Sequence, residues 1–129
     1  MINTLNENKE CNFIVICDHA SNHIPNEYNG LGLSKEILNT HIAYDIGAKE
    51  VALNISKFLN CPLVMTNFSR LLIDANRGVD DPTLIMKISD ESVIEGNKKI
   101  SFLNNSDERK KRIKNFYEIY HKKISDIIN

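Results

Sequence analysis

Three short apolar runs along the chain have the composition of buried β-strands. They cover Phe13 to Cys17, Pro62 to Thr66 and Arg70 to Asp74, and polar residues lie at or just beyond their ends. An unbroken apolar run without alternation is typical of a strand that is buried on both faces. We therefore expect three strands, each of which presents polar groups at its end.

Helical spacing of apolar residues distinguishes the segment between the first two runs. It predicts one amphipathic helix that starts after Asp45 and ends near Asn60. The apolar residues with this spacing are Ala48, Val51, Ala52, Ile55, Phe58 and Leu59. Upstream, Ser34 is a candidate N-cap for a short helix that runs through Asn39 or His41.

A second amphipathic helix is predicted at the C-terminal end of the sequence, with Ser106 as its N-cap. Its apolar face consists of Ile113, Phe116, Tyr117, Tyr120, Ile124 and Ile127. The basic run from Arg109 to Lys114 lies mostly on the other face, and we expect it to be solvated. Segments 18–32 and 78–97 carry glycine and proline, and we expect a long loop in the first and a loop with at most short elements in the second.

The order of strand, helix and strand favours an α/β fold with parallel pairing. The 129 residues are enough for one domain with its own core, and no linker-like segment divides them. We therefore expect residues 1–129 to form a single domain.

Composition and charge exclude several classes of function. The net charge of −1 gives no reason to expect nucleic acid or an anionic membrane as a partner. No apolar run approaches the ~20 residues of a membrane span, and the polar segment Met1 to Asn12 contains no apolar signal segment. The three cysteines have no metal-knuckle spacing, and their odd number together with the lack of an export signal favours reduced thiols. We therefore expect a cytoplasmic protein.

Four polar side chains cluster around the third apolar run: Arg70, Asp74, Asn76 and Arg77. Two guanidiniums this close together suggest an anionic ligand, because their planar forks match the oxygens of a carboxylate. Asn76 could add a directional amide hydrogen bond, and Asp74 could orient one of the arginines. The alternative is an internal network of ion pairs at a strand end.

His19 follows the first apolar run, which is a usual place for a metal ligand or a catalytic base. Its ring could bind zinc while Asp18 or a backbone carbonyl holds its tautomer. The alternative is a loop histidine that hydrogen-bonds to nearby backbone. From position alone, both interpretations remain open.

His41 and Asp45 are a second candidate pair, because residues four apart share a face on a continuous helix. Such a pair can ligate a metal. Alternatively, Asp45 is the N-cap of the helix that follows, and position alone favours this interpretation. We expect His121, in the final helix, to be structural.

Several motifs, in order along the chain, resemble those of the N-formylglutamate amidohydrolase (deformylase) family. They are CDHASNHIP (Cys17–Pro25), LGL (Leu31–Leu33), HIAYDIGA (His41–Ala48), SRLLIDANR (Ser69–Arg77), SDESVIEGN (Ser89–Asn97) and YEIYHKKI (Tyr117–Ile124). The resemblance covers nearly the whole chain from Phe13 onward. A set of ordered motifs is far more specific than any one of them.

The resemblance implies a fold like that of zinc carboxypeptidases (phosphorylase/hydrolase-like). This is a three-layer αβα arrangement with a mixed, largely parallel sheet and a metal at the strand ends. It also implies a zinc cofactor, with His19 as a ligand and Asp45 as a second carboxylate ligand or orienting group.

By the same resemblance, the substrate is a small acidic N-acyl amino acid such as N-formylglutamate, and the reaction hydrolyses its amide. Arg70, Asn76 and Arg77, together with Asp74, become the substrate-binding set that grips the carboxylates. Bound zinc would polarise the acyl carbonyl and lower the pKa of a water toward ~7.

The departure from the family is length, because its members are about twice as long as this chain. The resemblance implies that the C-terminal half, which is missing here, supplies a further histidine ligand and an acidic general base. His41 is a weaker reserve ligand, and Glu91 and Glu95 lie in an expected loop, so no catalytic base is assigned. Two interpretations follow. The chain is a half-enzyme completed by a second polypeptide or a homo-oligomer, or it is a truncated, inactive member that retains carboxylate binding.

Overall fold

The structure is a computed structural model that describes residues 2–100 and 106–129. A three-stranded sheet is formed by β1 (Asn3–Leu5), β2 (Val15–Cys17) and β3 (Leu63–Met65), in the order β1-β3-β2. β2 runs parallel to β3, with Val15 opposite Leu63, whereas β1 runs antiparallel to β3. The fold is therefore α/β with a mixed sheet.

The described residues also form four α-helices, a small hairpin and short helical turns. The α-helices are α1 (Lys35–Leu38), α2 (Ala48–Leu59), α3 (Asp107–Arg112) and α4 (Glu118–Ile128). The hairpin consists of β4 (Ile88–Ser89) and β5 (Ser92–Val93), and the turns are 3-10 helices at Asn26–Gly32 and Glu95–Asn97 and a π-helix at Ile113–Tyr117. The expectation of short elements in segment 78–97 is confirmed, whereas the long loop expected at 18–32 ends in the 3-10 segment at Asn26–Gly32.

The first two predicted strands are confirmed, although each is shorter than its apolar run. All three residues of β3 are buried, because β3 is the central strand of the sheet. Nothing in the polar residues Asn3 and Thr4 predicts β1, which forms because the edge of β3 is available for pairing.

α2 is the helix that the periodicity predicts. It ends at a C-cap residue, Asn60, whose φ of 50° is left-handed, a conformation that asparagine tolerates. Ala52 and Ser56 are buried on α2. Much of the predicted apolar face is exposed instead, at Val51, Ile55, Phe58 and Leu59.

The third predicted strand, at Arg70 to Asp74, is wrong. The segment is an irregular turn, although Leu71, Leu72 and Ile73 are fully buried. The N–H of Leu72 donates to the carbonyl oxygen of Ser69 at 3.0 Å, which closes a turn where a strand would remain extended. The apolar run therefore indicates burial in the core and not the backbone conformation.

Side chains from elsewhere in the fold satisfy the carbonyls of this buried turn. Asn97 donates to the carbonyl oxygens of Leu71 and Met86, both at 2.7 Å. Arg112 donates to the carbonyl oxygen of Leu72 at 3.0 Å and to Oδ1 of Asn97 at 2.6 Å. A buried carbonyl without a partner is costly, so these bonds allow an irregular segment in the core.

The expected solvated basic face of the last helix is wrong for Arg109 and Arg112, because both side chains are buried. Arg109 donates to the carbonyl oxygens of Val79, at 2.7 Å, and Asp81, at 3.3 Å. The predicted N-cap is confirmed, since the Ser106 hydroxyl accepts the N–H of Arg109 at 3.3 Å.

The two faces of β3 contribute to different clusters of buried residues, because successive side chains of a strand point to opposite faces. Leu63 and Met65 pack with Ala52 of α2. Val64 belongs to the main core, which includes Tyr120 of α4. Within residues 2–100 and 106–129, no helix has both the length and the apolar character to cross a bilayer.

The hydrogen bonds of Asn97 lead to a stability prediction. Asn97→Ala should lower the free energy of unfolding by about 2–4 kcal/mol, because buried carbonyls and a guanidinium lose their partner. Urea denaturation followed by circular dichroism measures the change. The control is Asn8→Ala, at an exposed position, which should shift stability by less than ~0.5 kcal/mol. Equal stability of the two variants would contradict the structural role of Asn97.

Candidate functional site

His19 lies just past the end of β2 and is buried, with 7% of its surface exposed. The turn after β2 is held by Thr66, whose hydroxyl oxygen accepts the N–H of Ala20 at 3.2 Å. The backbone carbonyl of His19 accepts the N–H of Asp45 at 3.0 Å. This bond brings the segment before α2 alongside the histidine.

Both ring nitrogens of His19 face carboxylates. Nδ1 lies 3.2 Å from Oδ2 of Asp45, and Nε2 lies 2.7 Å from Oδ1 of Asp74. The side chain of Asp45 is 53% exposed, whereas that of Asp74 is 1% exposed. One carboxylate therefore holds the ring from the protein interior, and the other faces solvent.

Asp74 is surrounded by hydrogen-bond donors. In addition to His19, its Oδ1 accepts the backbone N–H of Asn76 at 2.9 Å. Its Oδ2 accepts from a terminal nitrogen of Arg70 at 3.3 Å and from Nε of Arg77 at 3.2 Å. Both carboxylate oxygens are thus engaged within the protein. The ion-pair network that the sequence left as an alternative is present around this residue.

The pKa values of His19 and Asp74 move apart. Burial alone would lower the pKa of His19, but the hydrogen bond and charge of Asp74 outweigh burial and raise it. Burial alone would raise the pKa of Asp74, but hydrogen bonds from His19 and the backbone of Asn76 outweigh burial and lower it. Asp74 is therefore ionised at neutral pH.

The ionised state of Asp74 determines the tautomer of a neutral His19. A carboxylate can only accept, so Nε2 carries the proton that is donated to Asp74. The lone pair of Nδ1 then points toward the carboxylate of Asp45. A lone pair and an anionic oxygen this close repel each other unless a proton or a cation lies between them.

Arg70 and Arg77 flank Asp74, and their side chains are 21% and 35% exposed. Arg70 also reaches Oδ1 of Asp45 at 3.5 Å, while its buried Nε has no hydrogen-bond partner among the described residues. A terminal nitrogen of Arg77 lies 3.9 Å from Asp81. A guanidinium carries five N–H donors, so each arginine keeps donors that Asp74 does not use.

A cleft of about 560 Å³ opens at the end of β2. Its polar wall is formed by Asp18, His19, Asp45 and Asn76. Its apolar wall includes Ile16, Ile46, Val51 and Ile55. The cleft therefore brings the predicted metal ligands and one predicted substrate-binding residue onto one surface. The engaged oxygens of Asp74 suit it to positioning the other residues and not to contacting a ligand.

His41 is not brought into this site. Its segment forms turns and not a helix, and the histidine side chain is 71% exposed, with Nε2 3.2 Å from Asp90. The helical face that His41 and Asp45 were expected to share is therefore absent. The N-cap interpretation of Asp45 is also wrong, because Gly47 is the N-cap residue of α2 and the Asp45 carboxylate contacts His19.

Tyr120 of α4 hydrogen-bonds to Asp18, the residue that precedes His19. Its hydroxyl donates to Oδ1 of Asp18 at 2.6 Å, and burial together with Asp18 raises the pKa of Tyr120. Tyr120 therefore stays protonated and continues to donate. Asp18 was one candidate for fixing the tautomer of His19, but Asp74 has that position in the structure.

Two further side chains of the last helical segment hold the backbone near Asp74. The hydroxyl of Tyr117 donates to the carbonyl oxygen of Arg77 at 2.7 Å, and Nε2 of His121 donates to that of Ala75 at 3.0 Å. The expectation that His121 is structural is confirmed. Both bonds anchor the segment that carries the arginine cluster.

The contacts of Asp74 with His19 and of Tyr120 with Asp18 are missed by reasoning from the sequence. The partners are 55 and 102 residues apart, so no local pattern connects them. The available signal for Asp74 is its place at the end of an apolar run that is buried, between two arginines that can neutralise it.

The set of candidate metal ligands in the described part of the chain is small. No group of three or more His, Cys, Asp and Glu side chains within residues 2–100 and 106–129 is arranged to hold a metal ion. His19 and Asp45 provide a pair of donors on the cleft wall.

The buried charge of Asp74 generates a second stability prediction. Asp74→Asn should lower the free energy of unfolding by about 3–5 kcal/mol, because it removes the buried carboxylate that compensates the buried His19 and two partly buried arginines. The control is Asp126→Asn, which removes an exposed ion pair with Lys122 and should cost less than ~1 kcal/mol. Urea denaturation in the presence of a chelator compares them. Similar losses in both variants would show that Asp74 is not the electrostatic centre of the site.

Comparison with known proteins agrees with the sequence motifs. The family model for N-formylglutamate amidohydrolase matches residues 11–129. A solved structure, the crystal structure of gene product Atu2144 from Agrobacterium tumefaciens, is 34% identical and has a TM-score of 0.92. The match covers 98% of this chain and 49% of that one, so this chain spans about half the length of that relative. No curated protein matches the chain significantly. The chain belongs to the N-formylglutamate amidohydrolase family.

Proposed function

We propose that this chain carries part of a metal-dependent amidohydrolase site for small acidic N-acyl amino acids such as N-formylglutamate. One observation carries the proposal. His19 is held by a buried carboxylate and faces Asp45 on the wall of a cleft, in a chain whose family is named for amide hydrolysis.

His19 and Asp45 suit zinc as two of its ligands. We call these two side chains the donor pair, because each can donate an electron pair to a metal. Imidazole and carboxylate are donors that zinc accepts in proteins, and two atoms about 2.0–2.1 Å from a tetrahedral zinc lie about 3.3 Å apart. Nδ1 of His19 and Oδ2 of Asp45 are 3.2 Å apart. A cation between them would also relieve the repulsion between the lone pair and the carboxylate.

Asp74 and Arg70 would position this donor pair. Asp74 accepts the Nε2 proton of His19, which fixes the ring orientation and makes Nδ1 a stronger donor to a metal. Arg70 contacts Oδ2 of Asp74 at 3.3 Å and Oδ1 of Asp45 at 3.5 Å. It therefore ties the exposed carboxylate to the buried one.

Substrate binding would fall to the arginine cluster and the cleft wall. Bound zinc would supply a polarised acyl carbonyl and a water with a lowered pKa. Arg70 and Arg77 keep donors suited to a carboxylate, and Asn76 adds an amide on the cleft wall. Residues that hold both ends of a small dicarboxylate orient its amide, and orientation contributes strongly to rate.

A second function, carboxylate binding without turnover, has its own support. The described residues provide only a pair of metal ligands, whereas catalytic zinc sites take three from protein. In that case the arginines would bind the same ligands while no amide is cleaved. Measuring binding and hydrolysis on one sample distinguishes the two functions.

We also infer the larger architecture of the family fold. α2 packs on one face of β3 and α4 on the other, as in the three-layer fold of zinc carboxypeptidases that the sequence motifs imply. In this interpretation the chain forms one unit of a domain that a complementing polypeptide or a second copy completes.

The proposed metal site is tested by zinc affinity. His19→Gln and Asp45→Asn should each weaken zinc binding by about 100-fold or more, since even the loss of an outer partner costs 10–100-fold. Isothermal titration with zinc chloride measures the affinity. His41→Gln is the control, because that exposed histidine lies outside the site, and its affinity should stay within about twofold of the unaltered chain. Unchanged affinity in His19→Gln would rule out His19 as a ligand.

The proposed substrate site is tested with N-formylglutamate. Arg77→Ala should weaken binding by about 10–100-fold, because a charge-assisted hydrogen bond contributes ~1.5–3 kcal/mol. Lys111→Ala removes an exposed cation that pairs with Glu27, and binding should be unaffected. Formate release by the zinc-loaded chain, assayed on the same samples, supports the amidohydrolase. Binding without formate release supports the second function, and equal binding by the two variants refutes the role of Arg77.

A further inference from the structure

Cys11 and Cys61 lie side by side, although one precedes β2 and the other precedes β3. Their thiols are hydrogen-bonded to each other, and both are free in this structure. We call these two cysteines the thiol pair. Two sulfur atoms that already meet can be joined with little movement of the backbone, because a disulfide requires its two residues to be close neighbours.

The sheet holds the thiol pair at one of its ends. The first residues of β2 and β3 lie opposite each other, and the N–H of Val15 donates to the carbonyl oxygen of Pro62 at 2.9 Å. Because β2 and β3 are parallel, the chain enters both strands from the same side, which brings the segments before them together. His19 follows β2. The thiol pair therefore lies at the opposite end of this strand from the candidate metal site.

The backbone of Cys61 is fixed by α2. Its N–H donates to the carbonyl oxygen of Ser56 at 3.1 Å, and its carbonyl oxygen accepts the hydroxyl of Ser56 at 2.7 Å. Both residues are fully buried. Burial raises the pKa of the Cys61 thiol, and the neighbouring Cys11 raises it further. Cys61 therefore stays protonated at neutral pH.

The two thiols differ in their access to solvent. Cys11 is exposed, whereas Cys61 has no exposed surface. A dissolved reagent therefore reacts with Cys11 first, and the reaction reaches Cys61 only through Cys11. An accessible thiol beside a second, resolving thiol is the arrangement of redox-sensing cysteines. The third cysteine, Cys17, is buried in the cluster with Ala52.

We propose that Cys11 and Cys61 form a reversible disulfide by exchange with a small-molecule disulfide such as oxidised glutathione. The thiolate of Cys11 attacks one sulfur of the reagent, which forms a mixed disulfide and releases one thiolate. Cys61 then loses its proton, and its sulfur attacks the Sγ of Cys11 and displaces the second thiolate. The protein is oxidised by two electrons, the reagent is reduced to two thiols, and the protons of the two cysteines end on these thiols.

The disulfide joins the segment before β2 to the residue that follows the C-cap of α2. The loop that it closes contains both members of the donor pair, His19 and Asp45. A cross-link over so long a loop restricts mainly the unfolded chain. Oxidation therefore stabilises the folded state, and folding favours oxidation by the same factor. This inference is independent of the proposed function, because it involves neither the metal nor the substrate.

The test is a titration with mixtures of reduced and oxidised glutathione in the presence of a chelator. Remaining thiols are alkylated, and mass spectrometry of the peptides identifies the bonded cysteines. The equilibrium constant for the bond between Cys11 and Cys61 should be about 100-fold larger in the folded chain than in urea. The oxidised chain should unfold at a temperature about 5–15 °C higher than the reduced chain. Equal constants in the two states, or a bond that involves Cys17 in the folded chain, would overturn the proposal.

Three variants separate the two steps of the exchange. Cys11→Ser should leave Cys61 unmodified, because a buried thiol is not reached directly. Cys61→Ala should stop the reaction at the mixed disulfide of Cys11 with glutathione. Cys17→Ala is the control, in which the bond should form as in the unaltered chain. Modification of Cys61 in the Cys11→Ser variant contradicts the order of the steps. Cys11→Ser changes an exposed residue, so it tests the proposal even where replacement of the buried Cys61 prevents folding.

Discussion

The buried carboxylate of Asp74 is the interaction on which the rest of this structure depends. Moving a charge out of water costs several kcal/mol unless it is paired and hydrogen-bonded. The chain meets this cost with His19, Arg70 and Arg77, together with a backbone N–H. Each partner is held in one orientation as a result, and the free nitrogen of His19 is aimed at Asp45. The buried charge would destabilise the core if it were unpaired, and the partners that compensate it are the polar groups that lie around the cleft.

Much of the secondary structure could be predicted from the sequence, because local patterns dictate it. The periodicity of α2 and the caps at Ser34 and Ser106 are properties of neighbouring residues, and the structure contains all of them. The apolar run ending at Asp74 could not be assigned in this way. This segment lies in the core but is not a β-strand. Its carbonyl groups accept hydrogen bonds from Asn97 and Arg112, which belong to distant segments. No local pattern reports hydrogen bonds of that kind.

For the candidate site, the sequence predicted which residues lie in the site better than it predicted which of them contact one another. His19, Asp45 and the arginines do lie together, and their motifs drew attention to them. Asp74 was expected to orient an arginine, and it also holds the histidine. That second contact arises because β2 and the buried turn meet only in the folded state. The exposed apolar stripe of α2 has the same origin, since periodicity specifies a helical face but not what covers it.

The hydrogen bonds from the last helical segment affect the order in which the site is assembled. Tyr117, Tyr120 and His121 each anchor a segment that carries part of the cleft. During synthesis, these side chains emerge from the ribosome long after His19 and Asp74. The nascent chain thus contains Asp74 and its cationic partners before the helix that anchors their segments has been synthesised. Formation of the site is therefore a late step of folding, which follows the synthesis of α4.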